Sequence, residues 1–184
     1  VPKHPVRVYQ GDGLGVFTSE IQFPPENDAY FGETVLEWFT KGGFERLYVV
    51  DGVISNDLGI KEDSDLWGVS SKPIGREALD SAGINRIQNG IVSGITGYLI
   101  AEGERRGLEI TALLAECNPM YPDARAALIA IDGLSDLMDM EIPVQELLED
   151  AKEIEQKVRE AFERAQSTAL PAPGPDDEDD VPKM

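Results

Sequence analysis

Apolar positions first alternate with a period near two, and further along the chain recur at helical spacing or in short continuous runs. Val6 to Gln10 and Leu14 to Phe23 read as two strands flanking Gly11-Asp12-Gly13, a turn that supplies positive φ, so a β-hairpin is predicted. Gly11, Gly13 and Gly15 lack the spacing and the following helix of a dinucleotide-binding loop. Beyond Pro24-Pro25, Phe31, Val35, Trp38 and Phe39 recur at helical spacing until Gly42-Gly43, predicting an amphipathic helix over 26–41. Leu47 to Val50, closed by Asp51-Gly52, has the continuous apolar character of a strand buried on both faces of a parallel sheet.

Strand and helix signals then alternate. Leu66 to Ser71 reads as a strand, Pro73 to Ala82 as a helix ended by Gly83, and Ile84 to Gln88 as a short strand. Ile91, Val92, Ile95, Tyr98, Leu99 and Ile100 surround Gly90, Gly94 and Gly97, predicting a buried helix over 91–107 whose glycines let other backbones approach. Leu108 to Ala115 is a buried strand, with Glu116 to Tyr121 as the loop at its carboxyl end. Pro122 and Asp123 open a helix with Ala126, Leu128, Ile129 and Ile131 on its apolar face, and Gly133 is expected to interrupt it before Leu134 to Met140. Pro143 opens the last helix, where Leu147, Ala151, Ile154, Val158, Ala161 and Ala165 form a seam stepping by four and three. So short a seam can lie on its own domain or against a neighbouring subunit, and Leu147, Ala151, Ile154 and Val158 are the candidate oligomer contacts.

This alternation defines an α/β domain over 1–166. Residues 167–184 change character to a Ser, Thr, Ala, Pro and Gly spacer, the acidic run Asp176 to Asp180, and the tip Val181-Pro182-Lys183-Met184. The composition predicts a disordered acidic tail whose tip is the candidate partner-binding peptide. Sixteen basic against 35 acidic residues leave a net charge of −19, and setting aside the five acids of the run still leaves −14, so the acidity is not confined to the tail. A surface this acidic repels phosphate backbones and anionic lipid, so neither nucleic acid nor a membrane is an expected partner. No apolar run is long enough to span a membrane, and a cytoplasmic location is expected.

Catalytic chemistry is thinly supplied. Cys117 is alone, so no internal disulfide can form, and the one histidine, His4, lies near the start of the chain. Zinc sites and Ser-His-Asp triads are disfavoured, and a thiolate nucleophile at Cys117 would lack a base. Ligands of α/β folds gather at the carboxyl ends of strands, which nominates Asp51, Gly52, the loop 55–65 and Glu116. Gly90 and Gly94, at the start of the glycine-rich helix, complete a possible ligand cleft.

Gly90-Ile91-Val92-Ser93-Gly94-Ile95-Thr96-Gly97-Tyr98-Leu99, Ala112 to Glu116, Pro122 to Ala127 and the helix from Leu147 to Arg159, in this order and spacing, resemble the archaeal PAC2 family of proteasome assembly chaperones and their homologues. The resemblance runs from about Val6 to Ala165. It implies a three-layer α/β/α sandwich similar to nucleoside phosphorylases, ring-like homo-oligomers, and no established catalysis. Members usually carry a strand, a glycine-rich turn, a helix and another strand ahead of the matching part, so an N-terminally shortened version is expected. Chaperones of the family dock on the proteasome α ring through a C-terminal hydrophobic-Tyr-X tripeptide, whereas this sequence ends Pro182-Lys183-Met184. Either docking differs or the sequence stops short of that motif.

The expected function is therefore a non-enzymatic assembly chaperone or scaffold, without cofactor or metal, that forms homo-oligomers and engages proteasome α-type subunits or related assembly factors. The alternative is a small-molecule-binding domain or enzyme of nucleoside-phosphorylase-like fold. It would need a phosphate grip, and Arg46, Arg76 and Arg86 show no convergent spacing. Phe31, Trp38 and Phe39, together with the last helix, are expected to exceed what one subunit can cover, which favours association.

Overall fold

The computed structural model describes residues 3–11, 13–21, 23–54, 65–117, 123–144 and, beyond these, residues 149, 152, 153, 156, 157, 159–161 and 164. The chain opens with an antiparallel hairpin of β1 (Val6–Gly11) and β2 (Leu14–Ser19), registered from Val6 opposite Ser19 to Gly11 opposite Leu14. Gly13 turns it with φ +79°, the left-handed conformation expected at this turn. The second strand stops at Ser19 rather than reaching Phe23, because Ser19 Oγ accepts from the Ile21 N–H and bends the chain away.

A 3-10 turn at Pro25–Asn27 leads into α1 (Asp28–Lys41). Its buried positions Gly32, Val35, Leu36 and Phe39 follow one helical stripe. Among the described residues there follow the strands β3 (Arg46–Ile54), β4 (Leu66–Ser70), β5 (Asn85–Arg86) and β6 (Glu109–Cys117) and the helices α2 (Pro73–Ser81), α3 (Gly94–Arg106) and α4 (Ala124–Met138). The four strands form one mixed sheet in the order β3-β6-β4-β5. β3 runs parallel to β6, β4 antiparallel to β6, and β5 parallel to β4.

Three layers follow from the side-chain parity of β6. Ile110 joins Val35, Leu36 and Leu99 on the side of α1 and α3, whereas Leu113 and Ala115 pack with Leu79, Leu134, Ala126 and Ala130 on the side of α2 and α4. The fold is thus the expected α/β/α sandwich. The strand buried on both faces and on both edges is β6; β3 has the edge position, with Val50 49% and Ile54 68% exposed. The expectation of a strand buried on both faces of a parallel sheet is therefore not met by β3: the sheet is mixed, and β3 has exposed and half-buried residues along its length. β3 also continues through Asp51 and Gly52 to Ile54, so those two residues lie within the strand rather than closing it.

Other boundaries shift for local reasons. β5 is reduced to two residues of the expected five. The expected helix over 91–107 begins only at Gly94, whose φ of +70° marks the bend into it, and Ile91 is 95% exposed instead of buried. Gly133 does not interrupt α4: it is buried, and a Cβ there would lie 2.5 Å from Leu66 Cδ2, so the glycine admits the sheet. The aromatic stripe of α1 is covered within the chain rather than left for a partner, since Phe31 and Trp38 pack on Phe17 of the hairpin and Trp38 on Phe44. Pro143 and Val144 are not helical, whereas residues 149, 152, 153, 156, 157, 159–161 and 164 are. Leu147, Ala151, Ile154, Val158 and the tail 167–184, including Val181, Pro182, Lys183 and Met184, lie outside the described residues.

Candidate functional site

Because β3 and β6 are parallel, their carboxyl ends lie together, and the start of α3 is tied to the same place. Asp51 projects from β3 toward α3, where its Oδ2 accepts from the Thr96 hydroxyl at 2.6 Å. Its Oδ1 accepts from the Gly52 N–H at 2.8 Å. Gly52 turns to the other face, where an added Cβ would sit 2.7 Å from Cys117 Sγ. Glu116 is paired with Val53, on the same face of the sheet as Asp51, and its N–H donates to the Asp65 carbonyl at 2.8 Å.

The fold therefore gathers Asp51, Gly52 and Glu116, and brings Gly94 near them through Thr96. Gly90 stands outside α3, where an added Cβ would lie 3.5 Å from Ile87 Cγ2. Glu116 and Cys117, expected in a loop, are the last residues of β6. Of the loop 55–65 only Asp65 falls among the described residues. Thr96, 3% exposed, is the site residue that sequence reasoning missed; its signal is a hydroxyl set between Ile95 and Gly97 in an apolar, glycine-rich stretch.

Charge here is negative. Burial, followed by the charges of Asp123 and Asp51, pushes the Cys117 thiol above its ordinary pKa, so it stays protonated at neutral pH and is a poor nucleophile. The side chain of Asp123 is itself engaged as the N-cap of α4, accepting from the N–H groups of Arg125 and Ala126. The three arginines considered as phosphate grips do not converge on this end. Arg76 donates to the Ser70 carbonyl at 3.0 Å, Arg86 pairs with Asp80 at 2.7 Å, and Arg46 lies at the amino end of β3. No group of three or more metal-ligating side chains occurs among the described residues. Beside Asp51 a groove of about 490 Å³ opens between β2, α1, α3 and β3, lined chiefly by apolar side chains.

A three-layer α/β/α protein whose cleft carboxylate serves to anchor a helix is the class that this geometry defines. A family model described as the PAC2 family matches residues 1–161, and the chain belongs to that family. A curated relative, the uncharacterized protein MJ0106 of Methanocaldococcus jannaschii, is 22% identical over 164 residues, covering 89% of this chain and 66% of the relative. The chain thus spans about two thirds of that relative's length. Pyrococcus furiosus PbaA, described as an archaeal homolog of proteasome-assembly chaperone, superposes with a TM-score of 0.77 at 24% identity, covering 91% of this chain and 69% of PbaA. Pyrococcus furiosus PbaB, described as an archaeal proteasome activator, gives 0.67 at 21% identity over 80% of this chain and 64% of PbaB. At these identities the structural likeness establishes the fold.

Proposed function

We propose that this protein is a non-enzymatic, cytoplasmic proteasome assembly chaperone or scaffold that forms homo-oligomers and engages α-type proteasome subunits or related assembly factors through its C-terminal tail. The observation that carries this reading is the PAC2 match across residues 1–161, with a solved structural neighbour described as a homolog of proteasome-assembly chaperone. The spacer, acidic run and tip after residue 166 suit a tethered docking peptide. Engagement of both Asp51 oxygens, the protonated Cys117 and the scattered arginines weigh against the phosphorolysis-like alternative. No helix of the described residues is long and apolar enough to cross a membrane.

A pull-down of proteasome α subunits comparing the 1–184 chain with one ending at Ala165 tests the reading. The full chain should retain the subunits and the shortened chain should lose them. Equal retention by both would remove the tail from the interaction, and no retention by either would overturn the proposal.

A further inference from the structure

We propose that the uncharged surface formed by Trp67, Ile87 and the segment 88–93 before α3 is where two copies of this chain meet, like face on like face. The β4–β5 register sets Trp67 opposite Asn85, and the Ile87 N–H extends the pairing by donating to the Gly68 carbonyl at 3.0 Å. Leu66 and Ile84 pack with Leu79 of α2, and Arg86 pairs with Asp80 of the same helix, so these alternate positions take one side of the sheet. Trp67, Asn85 and Ile87 therefore share the other side. Past Ile87 the chain folds back onto it, since a Cβ at Gly90 would lie 3.5 Å from Ile87 Cγ2. Trp67 is 37% and Ile91 95% exposed there, and the amides Asn85, Gln88 and Asn89 are exposed beside them.

From Ile87 to Ala101 no residue is charged, in a chain of which 28% is. An aromatic and an aliphatic side chain flanked by amides, with charge left out, is the make-up of the middle of a protein–protein contact. Charge also selects the partner. A basic partner would be drawn to the carboxylates that carry the net −19, and gains no attraction from a surface without them. A second copy carries the same −19 and is repelled wherever carboxylate meets carboxylate, so a surface empty of charge is where it can approach. The amides suit the same occupant. Each offers both a donor and an acceptor, so Asn85, Gln88 and Asn89 can pair with their counterparts, as two carboxylates or two ammonium groups cannot. A contact of like on like is two-fold, and lets Ile91 of each copy bury itself against the partner's Trp67. Asp65, two residues before Trp67, is the charge bordering this surface, so added salt should strengthen the pair. The inference rests on the homo-oligomer of the proposed function and names the surface that makes it.

Sedimentation of the 1–184 chain over a concentration series, without proteasome subunits, reads the association. Ile91→Asp should weaken it at least about tenfold, and Ile91→Ser, which adds no charge, should weaken it too. Tyr30→Asp, which puts the same charge at another exposed apolar position, on α1, should leave it nearly unchanged. In a Cys117→Ala background, a bismaleimide should join Asn89→Cys chains into covalent dimers and leave Tyr30→Cys chains single. Association of the Ile91 variants equal to that of the natural chain overturns this surface and leaves the homo-oligomer standing. An equal loss in Tyr30→Asp, or no covalent dimer from Asn89→Cys, does the same. A monomer at every concentration overturns both, while engagement of proteasome subunits is read separately by the pull-down.

Discussion

At the scale of single residues, the Thr96–Asp51 hydrogen bond is the contact that joins α3 to the sheet at the candidate site. Its acceptor is a carboxylate and its donor is buried, so Thr96→Val should cost about 1.5 to 3 kcal/mol in urea unfolding. Asp51→Asn, which keeps an acceptor, should cost less; an unchanged urea midpoint for Thr96→Val would show that the bond is dispensable. Gly52 tests the opposite wall of β3. Gly52→Ala would press its methyl against Cys117 Sγ and should destabilise by about 1 to 3 kcal/mol. Cys117→Ala in the same chain should restore most of that loss, and strictly additive effects would contradict the contact.

Between elements, α1 and α3 are held by packing and by charge. Tyr98 packs on Gly32, and the Tyr98 hydroxyl donates to Glu33 Oε2 at 3.3 Å. Arg106 donates from Nη1 to Glu33 Oε1 at 2.9 Å and from Nε to Glu102 Oε2 at 2.7 Å, spanning the two helices. Hydrogen bonds from Arg105 and then Arg106 hold the Glu102 carboxyl down at about 2, and Arg106 likewise lowers Glu33. A carboxylate depressed in the folded state stabilises the fold above its ordinary pKa and loses that contribution as pH falls through the folded value. The melting-temperature advantage of the natural chain over Glu102→Gln should therefore be constant above about pH 5 and shrink toward pH 2. A gap of constant size down to pH 2 would place the stabilisation elsewhere.

For the whole molecule, charge and association oppose each other. The chain carries −14 even once the five acids of 176–180 are set aside from the total of −19, and like-charged bodies repel over about 8 Å at physiological salt and farther at low salt. The proposed homo-oligomer should therefore grow more stable as salt is raised, which light scattering across a salt series would register. A monodisperse monomer at both ends of the series would refute it. With the aromatic stripe of α1 covered by the hairpin, the apolar surface left for such a contact includes Tyr9, Leu14 and Val16 on the outer face of that hairpin, and Ile91. Because Ile91 is exposed, Ile91→Asp should leave the fold of one subunit intact, and a loss of association in that variant would identify the segment before α3 as a contact.

Local pattern was enough to determine the hairpin, three of the helices to within a few residues, and the α/β class, because backbone conformation follows from φ at Gly13, helical stripes such as Gly32 to Phe39, and runs such as Leu108 to Ala115. The neighbourhood of Asp51, Gly52 and Glu116 was legible for a related reason, since parallel strands in this class end on one side of the sheet. Tertiary structure alone decided the rest. It placed β6 at the centre and β3 at the edge, since a strand's own residues do not encode how many neighbours it pairs with. It let Gly133 continue a helix because Leu66 needed the space, and it covered Phe31 and Trp38 with a hairpin from an earlier part of the chain. It also gave Asp51 its partner on α3, because Thr96 lies 45 residues away and only the packed fold brings the two oxygens within hydrogen-bonding distance.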